Sequence, residues 1–318
     1  MGRFFLSWTA NFGYPYRMPE LAEVETVRKI LDKNLRRKKI VEVDVDMSDK
    51  YLFAFAKPGE VKRALTGATV VGSGRRGKYM WLTFRRKGKS ASRARTMSLI
   101  VHLGMSGNIS LKTWKGRGSQ HANAWGGVAL QSENKTARER PDHLWFCRLL
   151  IKMADGTEVA LLDPRRFGRV WLSDDPAHHP RIARLGPDPL IDFPTASALE
   201  KTLRRRKMAI KPVLLDQSVF AGIGNWLADE ILFQAKMSPH RKASELTMKD
   251  VSTLRKYILS VVKKAVAVDA DYKRFPKSWI FHHRWGKAKG AKTSLGLKII
   301  HEQIGGRTAA WVPAVQKS

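Results

Sequence analysis

The succession of hydrophobic patterns along the chain limits its fold more than any other feature. In residues 20–35, apolar side chains recur at Leu21, Val24, Val27 and Leu31, the spacing of one face of a helix. Short strand-like runs come next, and many short strands after one helix predict a β-sandwich or a barrel. The predicted strands are 40–45, 68–71, 79–84, 97–103, 145–152, 158–162 and 170–172.

The pattern changes at the proline-rich segment 187–194, which predicts a domain boundary. Beyond it the apolar spacing is helical, and the tail at 279–315 reads as a β-hairpin between glycine-rich turns. A chain of 318 residues is compatible with two domains. We therefore predict an α+β fold in which the strands precede the helices. The predicted helices after the boundary are 196–206, 210–215, 223–234 and 243–268.

Two segments interrupt the strand pattern. Residues 85–95 form a basic turn, and residues 115–141 are rich in Gly, Ser, Gln, Asn and charged side chains. Such a composition cannot bury enough apolar surface to offset the entropy of ordering. We expect the segment 115–141 to be a disordered loop.

The charge of the chain points to a polyanionic partner. Lys and Arg number 59 against 28 Asp and Glu, for a net charge of +31, and the basic residues are interleaved with Trp and Phe throughout. This distribution favours nucleic acid over a merely charged surface. It also argues against an anionic membrane, because no basic amphipathic helix stands apart from the folded pattern. No apolar run approaches the roughly 20 residues of a membrane span.

Cysteine usage and apolar content restrict the chain further. With 43% apolar residues it can bury a substantial core. Cys147 is its one cysteine, so neither an intrachain disulfide nor a cysteine-based zinc site can form. This usage fits a reducing compartment. We expect no metal and no cofactor.

The triplet Met18-Pro19-Glu20 looks like a translation start that lies inside the chain. If Pro19 were the first residue, its nitrogen would be a secondary amine and a nucleophile. Within a peptide bond the same nitrogen is an inert amide. Residues 1–17 carry Arg and Ser and no acid, which weakly resembles a transit peptide. We prefer to interpret this extension as upstream sequence ahead of a start at Met18.

A glycine turn precedes the predicted helix at 223–234. Gly222 and Gly224 lie just before it, and Asn225 lies in its first turn. Free backbone N–H groups and the positive end of the helix dipole make such a turn an anion site. Taken alone, the segment is more typical of an ordinary helix-turn-helix. With Asn225 as a further donor, it predicts a grip on a phosphate.

Six motifs in a fixed order resemble the formamidopyrimidine-DNA glycosylase/endonuclease VIII family. The resemblance covers residues 18–316 apart from the two loops. Any one motif would be weak evidence, but six in family order are specific. They are PELAEVE at 19–25, GRRGKY at 74–79, HLGMSG at 102–107, DPRRFG at 163–168, LGPDPL at 185–190 and GIGNWLADE at 222–230.

The resemblance implies a base-excision repair enzyme that removes oxidised bases and nicks the strand. Pro19, as a free amine, would attack the sugar C1′ and form an iminium, and β-elimination would follow. Glu20 would act as the general acid on the sugar ring oxygen. Lys78 would donate or relay a proton, although it could also simply neutralise the DNA backbone. Glu23 and Glu230 match further carboxylates near the active centre. For Glu23, helix polarity and charge complementarity at the helix N-terminus are an equal alternative.

The resemblance also implies contacts with a DNA partner. Base chemistry on a duplex extrudes the nucleotide, and Met105, Arg165 and Phe167 would fill the space it leaves. Without the family context, Met105 and Phe167 would be read as core residues. The remaining predicted contacts to DNA phosphates are Arg206, Lys207, Lys211, His102 and His143, besides Gly222, Gly224 and Asn225. A run such as 204–207 is also typical of a solvated helix face.

The C-terminus departs from the bacterial pattern of a four-cysteine zinc finger. It has no cysteine, and its histidines lack finger spacing. The segments WIFHHRWGK at 279–287 and GGRTAAWVP at 305–313 resemble the zincless finger of plant and fungal members. Such a hairpin would be held by packing of Trp279, Phe281, Trp285 and Trp311. Arg307 at its tip would contact the lesion-site phosphates and assist δ-elimination, or act as a general phosphate contact.

We therefore predict four segments. Residues 1–17 are the extension, 18–186 a catalytic β-sandwich domain with an N-terminal helix, 187–272 a helix-two-turn-helix (H2TH) domain and 273–318 a zincless hairpin finger. The predicted protein is a monomer that binds damaged double-stranded DNA and acts as a bifunctional glycosylase and AP lyase. The alternative is a catalytically silent protein that binds damaged or abasic DNA, with Pro19 blocked by the extension. By resemblance alone we expect a nuclear location, or an organellar one if residues 1–17 are a transit peptide.

Overall fold

The computed structural model describes residues 19–86, 95–115, 118–123, 146–285 and 290–317. The predicted extension 1–17, His143 and most of the predicted loop 115–141 lie outside these residues. The first half of the described chain holds helices α1 (Leu21–Leu35) and α2 (Pro58–Leu65). Its strands are β1 (Ile40–Val45), β2 (Thr69–Arg76), β3 (Tyr79–Arg86), β4 (Arg95–His102), β5 (Asn108–Lys115), β6 (Gly118–Asn123), β7 (Cys147–Met153), β8 (Glu158–Leu162) and β9 (Arg169–Ser173).

These strands form a β-sandwich. One sheet has the order β1-β7-β8-β5-β6 and the other β2-β3-β4-β9, with antiparallel neighbours throughout. Buried side chains alternate along β3, where Met80, Leu82 and Phe84 face the core, as a half-buried strand requires. The predicted sandwich with an N-terminal helix is confirmed.

The prediction of a disordered loop at 115–141 is partly wrong. Strand β6 lies within it and pairs with β5 from Ser110↔Asn123 to Lys115↔Gly118. Strand β5 carries an alternating pattern that could have been recognised, because Ile109 and Leu111 face the core. The sequence of β6 is polar and holds no such signal. It becomes a strand through backbone pairing with its neighbour, which composition does not report.

The second half of the described chain is helical. Its helices are α3 (Pro180–Ala183), α4 (Ala196–Arg204), α5 (Ile210–Leu215), α6 (Asn225–Gln234) and α7 (Met248–Ala267). Helix α6 is buried along most of its length, from Trp226 to Leu232, so it lies at the centre of this domain. Helix α7 begins at a capping box formed by Thr247 and Asp250.

Helix α1 joins the two halves. Leu21 and Ala22 belong to the core of the helical domain, whereas Val24, Val27 and Leu31 belong to the core of the sandwich. The N–H of Leu21 donates to the carbonyl of Gly222 (3.1 Å). Pro19 and Glu20 are thereby held between the two domains.

The C-terminal hairpin consists of β10 (Ile300–Ile304) and β11 (Arg307–Trp311). Gly305 and Gly306 form its turn with φ of 57° and 75°, the left-handed values that favour glycine in a two-residue turn. The predicted aromatic packing needs correction, because Trp279 and Phe281 lie in the core of the helical domain. The hairpin itself packs through Ile280, Ile299, Ala310 and Val312.

None of the helices among the described residues is long and apolar enough to cross a membrane. Within the same ranges, no three His, Cys, Asp or Glu side chains are grouped so that they could hold a metal ion.

Candidate active site and nucleic-acid interface

The carboxyl group of Glu20 occupies the N-terminus of helix α6. Its Oε1 accepts from the N–H of Trp226 (2.9 Å), and its Oε2 accepts from Gly224 (2.9 Å) and Leu227 (3.1 Å). The first N–H groups of a helix have no partner within the helix, and the dipole favours an anion there. The glycine turn is therefore an anion site, as predicted, but its anion is the protein's own carboxylate. The N–H groups of Gly224, Trp226 and Leu227 are thereby occupied, and a grip of this turn on a DNA phosphate stays a prediction.

Both glycines of this turn are required by close contacts with α1. A Cβ on Gly224 would lie 2.2 Å from Cδ of Glu20. A Cβ on Gly222, whose φ is +90°, would lie 2.7 Å from Cβ of Leu21. Neither space admits a methyl group, because real Cβ atoms do not approach heavy atoms so closely. The glycines allow α1 and its preceding residues to meet α6.

Glu23 supports Glu20 from the first turn of α1. Its Oε2 accepts from the N–H of Glu20 (3.0 Å), and its Oε1 accepts from the hydroxyl of Tyr272 (3.0 Å). Burial, followed by repulsion from Glu20, raises the pKa of Glu23 to about 7. Through these contacts Glu23 caps the N-terminus of α1, and its role in the active centre stays a prediction.

Burial also governs the two groups predicted to move protons. It raises the pKa of Glu20, against the lowering effect of Lys78 and of the backbone N–H groups of α6. Burial lowers the pKa of Lys78, and the charge of Arg307 lowers it further. The charges of Glu20 and Glu23 act in the opposite direction. Each of these groups is thus shifted toward its neutral form. Lys78 therefore lies within electrostatic range of both Glu20 and Arg307.

Lys78 lies in the turn between β2 and β3, and a buried clamp fixes that turn. Asp188 accepts from Arg75 Nη1 (2.6 Å) and Nη2 (3.0 Å) and from the N–H of Gly77 (2.8 Å). Arg75 and Asp188 are both buried. Both residues lie within the ordered motifs, but the sequence did not predict a role for either. They hold the lysine-bearing turn against the segment that leads into the helical domain.

An open cleft of about 340 Å³ lies over Glu20. It is bounded by residues of the sandwich, of α6 and of the C-terminal hairpin. The site is therefore assembled from both domains. Its lining residues are Glu20, Met105, Arg165, Asn225, Trp226, Arg284, Trp285, Gln303, Gly306, Arg307 and Thr308. Arg284 and Trp285 were quoted in the finger motif but not predicted as site residues.

Met105, Arg165 and Phe167 lie together in the structure. Arg165 Nη2 is 3.3 Å from Sδ of Met105, and its Cζ lies 4.9 Å from the centre of the Phe167 ring. Phe167 is 46% exposed, so it is not the core residue that its type alone would indicate. An exposed ring, an exposed guanidinium and a partly exposed thioether thus lie side by side. That they fill an emptied stack stays a prediction.

Buried Asp163 organises the loops that carry these three side chains. It accepts from Ser106 Oγ (2.9 Å), from the N–H of Arg165 (3.3 Å) and from the N–H of Gly168 (2.6 Å). These bonds connect the loop of Met105 with the loop of Arg165 and Phe167. Sequence reasoning quoted Asp163 in a motif without a role.

The remaining predicted phosphate contacts have mixed positions. His102 is neutral, because burial and the charges of Lys78 and Arg169 lower its pKa to about 4; its Nδ1 accepts from the N–H of Gly104. Lys207 is exposed and Arg206 is half-exposed, 3.7 Å from Asp216. Asn225 Nδ2 donates to the carbonyl of Thr308 (3.0 Å), so in this structure it holds the hairpin.

Two predicted site residues are buried elsewhere. Lys211 is fully buried, and its ammonium contacts Asp229 and the carbonyl of Thr308; a surface role toward phosphate is therefore wrong. Glu230 is also fully buried and accepts from the N–H of Phe281 (2.9 Å) and from Gln234 (2.7 Å). Its carboxyl group holds the segment before the hairpin and does not line the cleft. Burial raises the pKa of Glu230 to about 8.

Glu230 should make the protein less stable as the pH rises. Between its ordinary pKa of 4.5 and the folded value of about 8, the folded state binds one proton that the unfolded state has lost, so the free energy of unfolding falls with pH. In Glu230→Gln this loss should disappear. From pH 5 to pH 8 the variant should gain on the order of 3 kcal/mol relative to wild type. Urea unfolding at both pH values measures the difference; parallel pH profiles would contradict it.

The chain is similar to known proteins over most of its length. The family model described as the formamidopyrimidine-DNA glycosylase N-terminal domain matches residues 18–170, and that of the H2TH domain matches residues 185–277. A formamidopyrimidine-DNA glycosylase of Arabidopsis thaliana is 35% identical over 94% of this chain and 71% of its own length. One from Geobacter metallireducens is 31% identical over 94% and 100%. A solved complex of Lactococcus lactis Fpg with DNA containing an abasic site has a TM-score of 0.72 at 27% identity, covering 94% of this chain and all of that one.

The fold and the matches place the chain among the DNA glycosylases of base-excision repair. It belongs to the formamidopyrimidine-DNA glycosylase family. The family predicted from the six ordered motifs is confirmed, as are the sandwich and the H2TH domain.

Proposed function

We propose that this protein binds damaged duplex DNA as a monomer, removes oxidised bases and then cleaves the strand through a Schiff base at Pro19. The observation that carries the proposal is the position of Glu20. Its buried carboxyl group is fixed by three N–H groups of α6 at the floor of a cleft, and Pro19 is the adjacent residue. Attack requires a free amine, so the proposal concerns the form of the chain that begins at Pro19.

The first chemical step is base removal. Glu20, whose pKa is raised by burial, donates a proton to the sugar ring oxygen as the C1′–base bond weakens. The nitrogen of Pro19 then forms a bond to C1′, and the base leaves. The amine nitrogen loses its proton, and the sugar ring opens to give an iminium. Because Pro19 is a secondary amine, this iminium is cationic without the addition of a further proton.

Strand cleavage uses the iminium as an electron sink. Loss of a C2′ proton expels the 3′ phosphate by β-elimination, and a second elimination expels the 5′ phosphate. Lys78 has a lowered pKa, which suits it to exchange protons in these steps. Arg307, exposed at the hairpin turn and lining the cleft, would hold the departing phosphates.

The proposed substrates are 8-oxoguanine, formamidopyrimidines and hydantoins in duplex DNA. Solved complexes of Lactococcus lactis Fpg with DNA containing an abasic site or Fapy-dG support this class. The protruding Met105, Arg165 and Phe167 would occupy the space left by an extruded nucleotide. The net charge of +31 suits a DNA backbone.

Borohydride trapping tests the function. The form beginning at Pro19 is incubated with a duplex containing an abasic site, sodium borohydride is added, and the product is resolved on a denaturing gel. We expect a covalent protein–DNA adduct, because reduction makes the iminium permanent. Salt-sensitive binding without any adduct would instead support a silent protein that only recognises damaged DNA.

Phe167→Ala should weaken binding to abasic duplex by about 10-fold to 100-fold, because stacking on a base is worth roughly 1–3 kcal/mol. The free energy of unfolding should hardly change, since the ring is 46% exposed. Fluorescence anisotropy with labelled duplex measures the affinity. Phe55→Ala is the matched control, because Phe55 is 53% exposed and stacks on Trp171. Equal losses in both variants would argue against the wedge role.

A further inference from the structure

The buried carboxyl group of Asp229 connects three segments of the chain to helix α6. Asp229 is 2% exposed. Its Oδ1 accepts from the ammonium of Lys211 on α5, and its Oδ2 accepts from Nε and Nη2 of Arg284. The same Oδ2 accepts from the N–H of Ala310 on β11 (3.1 Å). One carboxylate thus receives four hydrogen bonds.

Lys211 and a residue of α6 also hold strand β11, which begins at Arg307. The carbonyl of Thr308 accepts from Lys211 Nζ (2.8 Å) and from Asn225 Nδ2 (3.0 Å). Strand β11 is therefore attached to α5 and α6 at Thr308 and at Ala310. Arg307 is the residue immediately before the first attachment point, and its own side chain is exposed.

Helix α6 also holds the catalytic acid. Its first N–H groups bind the carboxyl group of Glu20, and its second turn carries Asp229. The distance between Glu20 and the backbone of Arg307 is thus set through one rigid helix. The two-residue turn at Gly305–Gly306 would not fix this distance alone, because a hairpin turn moves with its strands.

We propose that Asp229, with Lys211 and Arg284 bound to it, is the positioning residue that places Arg307 over the cleft. The proposal rests on the function above, since it assigns Arg307 to phosphates during strand cleavage. A purely stabilising role is a weaker account. A buried carboxylate between two cations loses its hydration, and apolar side chains of similar volume often stabilise a protein as well or better.

A double-mutant cycle separates the two accounts. Strand cleavage at a preformed abasic site is measured in single turnover for wild type, Asp229→Asn, Arg307→Ala and the double variant, over a range of protein concentrations. Arg307→Ala should slow cleavage by about 10-fold to 100-fold, the worth of charge-assisted contacts to phosphate. If Asp229 acts through Arg307, Asp229→Asn should show a similar loss, and the double variant should be no slower than Arg307→Ala. Multiplying losses would overturn the proposal.

Hydrogen exchange reports the positioning directly. Amides of 307–311 should exchange faster in Asp229→Asn, while amides in the middle of α7 should be unchanged. Asp250→Asn is the control, because Asp250 also pairs with an arginine, Arg241, in the helical domain but does not contact the hairpin. Unchanged exchange at 307–311 in Asp229→Asn would overturn the proposal even if cleavage slows.

Lys211→Met serves if Asp229→Asn does not fold. It removes the donor to Thr308 and leaves Asp229 paired with Arg284, so no buried carboxylate is left without a cation. The same cycle with Arg307→Ala then applies, with the same expected outcome. If wild type itself does not cleave abasic DNA, the proposed function fails, whereas the exchange experiment still decides whether Asp229 holds the hairpin.

Discussion

A chain that begins at Pro19 should form a borohydride-stable adduct with abasic DNA, and a chain that retains residues before Pro19 should form none. The reason is electronic. In the first form the nitrogen of Pro19 has a free lone pair, whereas in the second it belongs to an amide whose lone pair is delocalised into the carbonyl. No nearby change can compensate, so the loss should be complete within detection. The yield of adduct on a denaturing gel measures it.

Pro19→Gly in the shorter form provides a graded comparison. It keeps a free terminal amine but replaces the secondary amine by a primary one, which yields a neutral imine that must be protonated before it serves as an electron sink. We expect an adduct that forms more slowly than that of wild type. Equal trapping by the longer form, verified intact by mass spectrometry, would contradict the assignment of Pro19 and indicate a lysine nucleophile.

The parts of the fold that depend on local sequence could be predicted. Strands β1 and β8 and helix α5 begin and end at the predicted residues, because their apolar patterns match the buried faces. Helix α7 begins at Met248, five residues later than predicted, since the capping box at Thr247 sets its start. Strand β6 could not be predicted, because its polar sequence takes its conformation from pairing with β5.

The residues of the candidate site likewise divide into those that the sequence predicted and those that it could not. Glu20 and the group formed by Met105, Arg165 and Phe167 were found through motifs. The structure brings Glu20, Met105 and Arg165 to the cleft, and Phe167 lies against Arg165. The ligand of the α6 N-terminus was missed, because Glu20 and Gly224 are 204 residues apart. Lys211 and Glu230 were misplaced for a related reason. A charge in the sequence does not reveal whether its partner is solvent, DNA or a buried group such as Asp229.

The pKa of Glu20 reflects opposing effects of its surroundings. Three N–H groups bind the carboxyl oxygens of Glu20 and favour its charged form, yet burial outweighs them and raises its pKa. A site built in this way keeps the carboxyl group in one orientation in either protonation state. It follows that base removal should depend on where the carboxyl group sits as much as on its charge.

Glu20→Gln and Gly224→Ala should therefore both impair base removal, for different reasons. The amide of Gln cannot donate a proton as an acid does, so excision from an 8-oxoguanine duplex should fall by about 100-fold to 10,000-fold. Affinity for abasic duplex should be nearly unchanged. Because an NH₂ group would face an N–H donor of α6, the variant should also lose about 1–3 kcal/mol of stability. A large loss of affinity would instead mean that Glu20 is structural.

Gly224→Ala tests position, because it leaves the carboxyl group of Glu20 in the chain. The new Cβ would lie 2.2 Å from Cδ of Glu20, so the carboxyl group must leave the N–H groups of α6. Displacing a catalytic group by about 1 Å can cost on the order of 100-fold in rate, and we expect a loss of that size in single-turnover excision. Gly59→Ala in α2 is the matched control, because its Cβ would meet nothing closer than 3.5 Å. Excision at the wild-type rate in a folded Gly224→Ala protein would show that the α6 N-terminus does not set the position of the acid, and that Glu20 works from a conformation in which it is released.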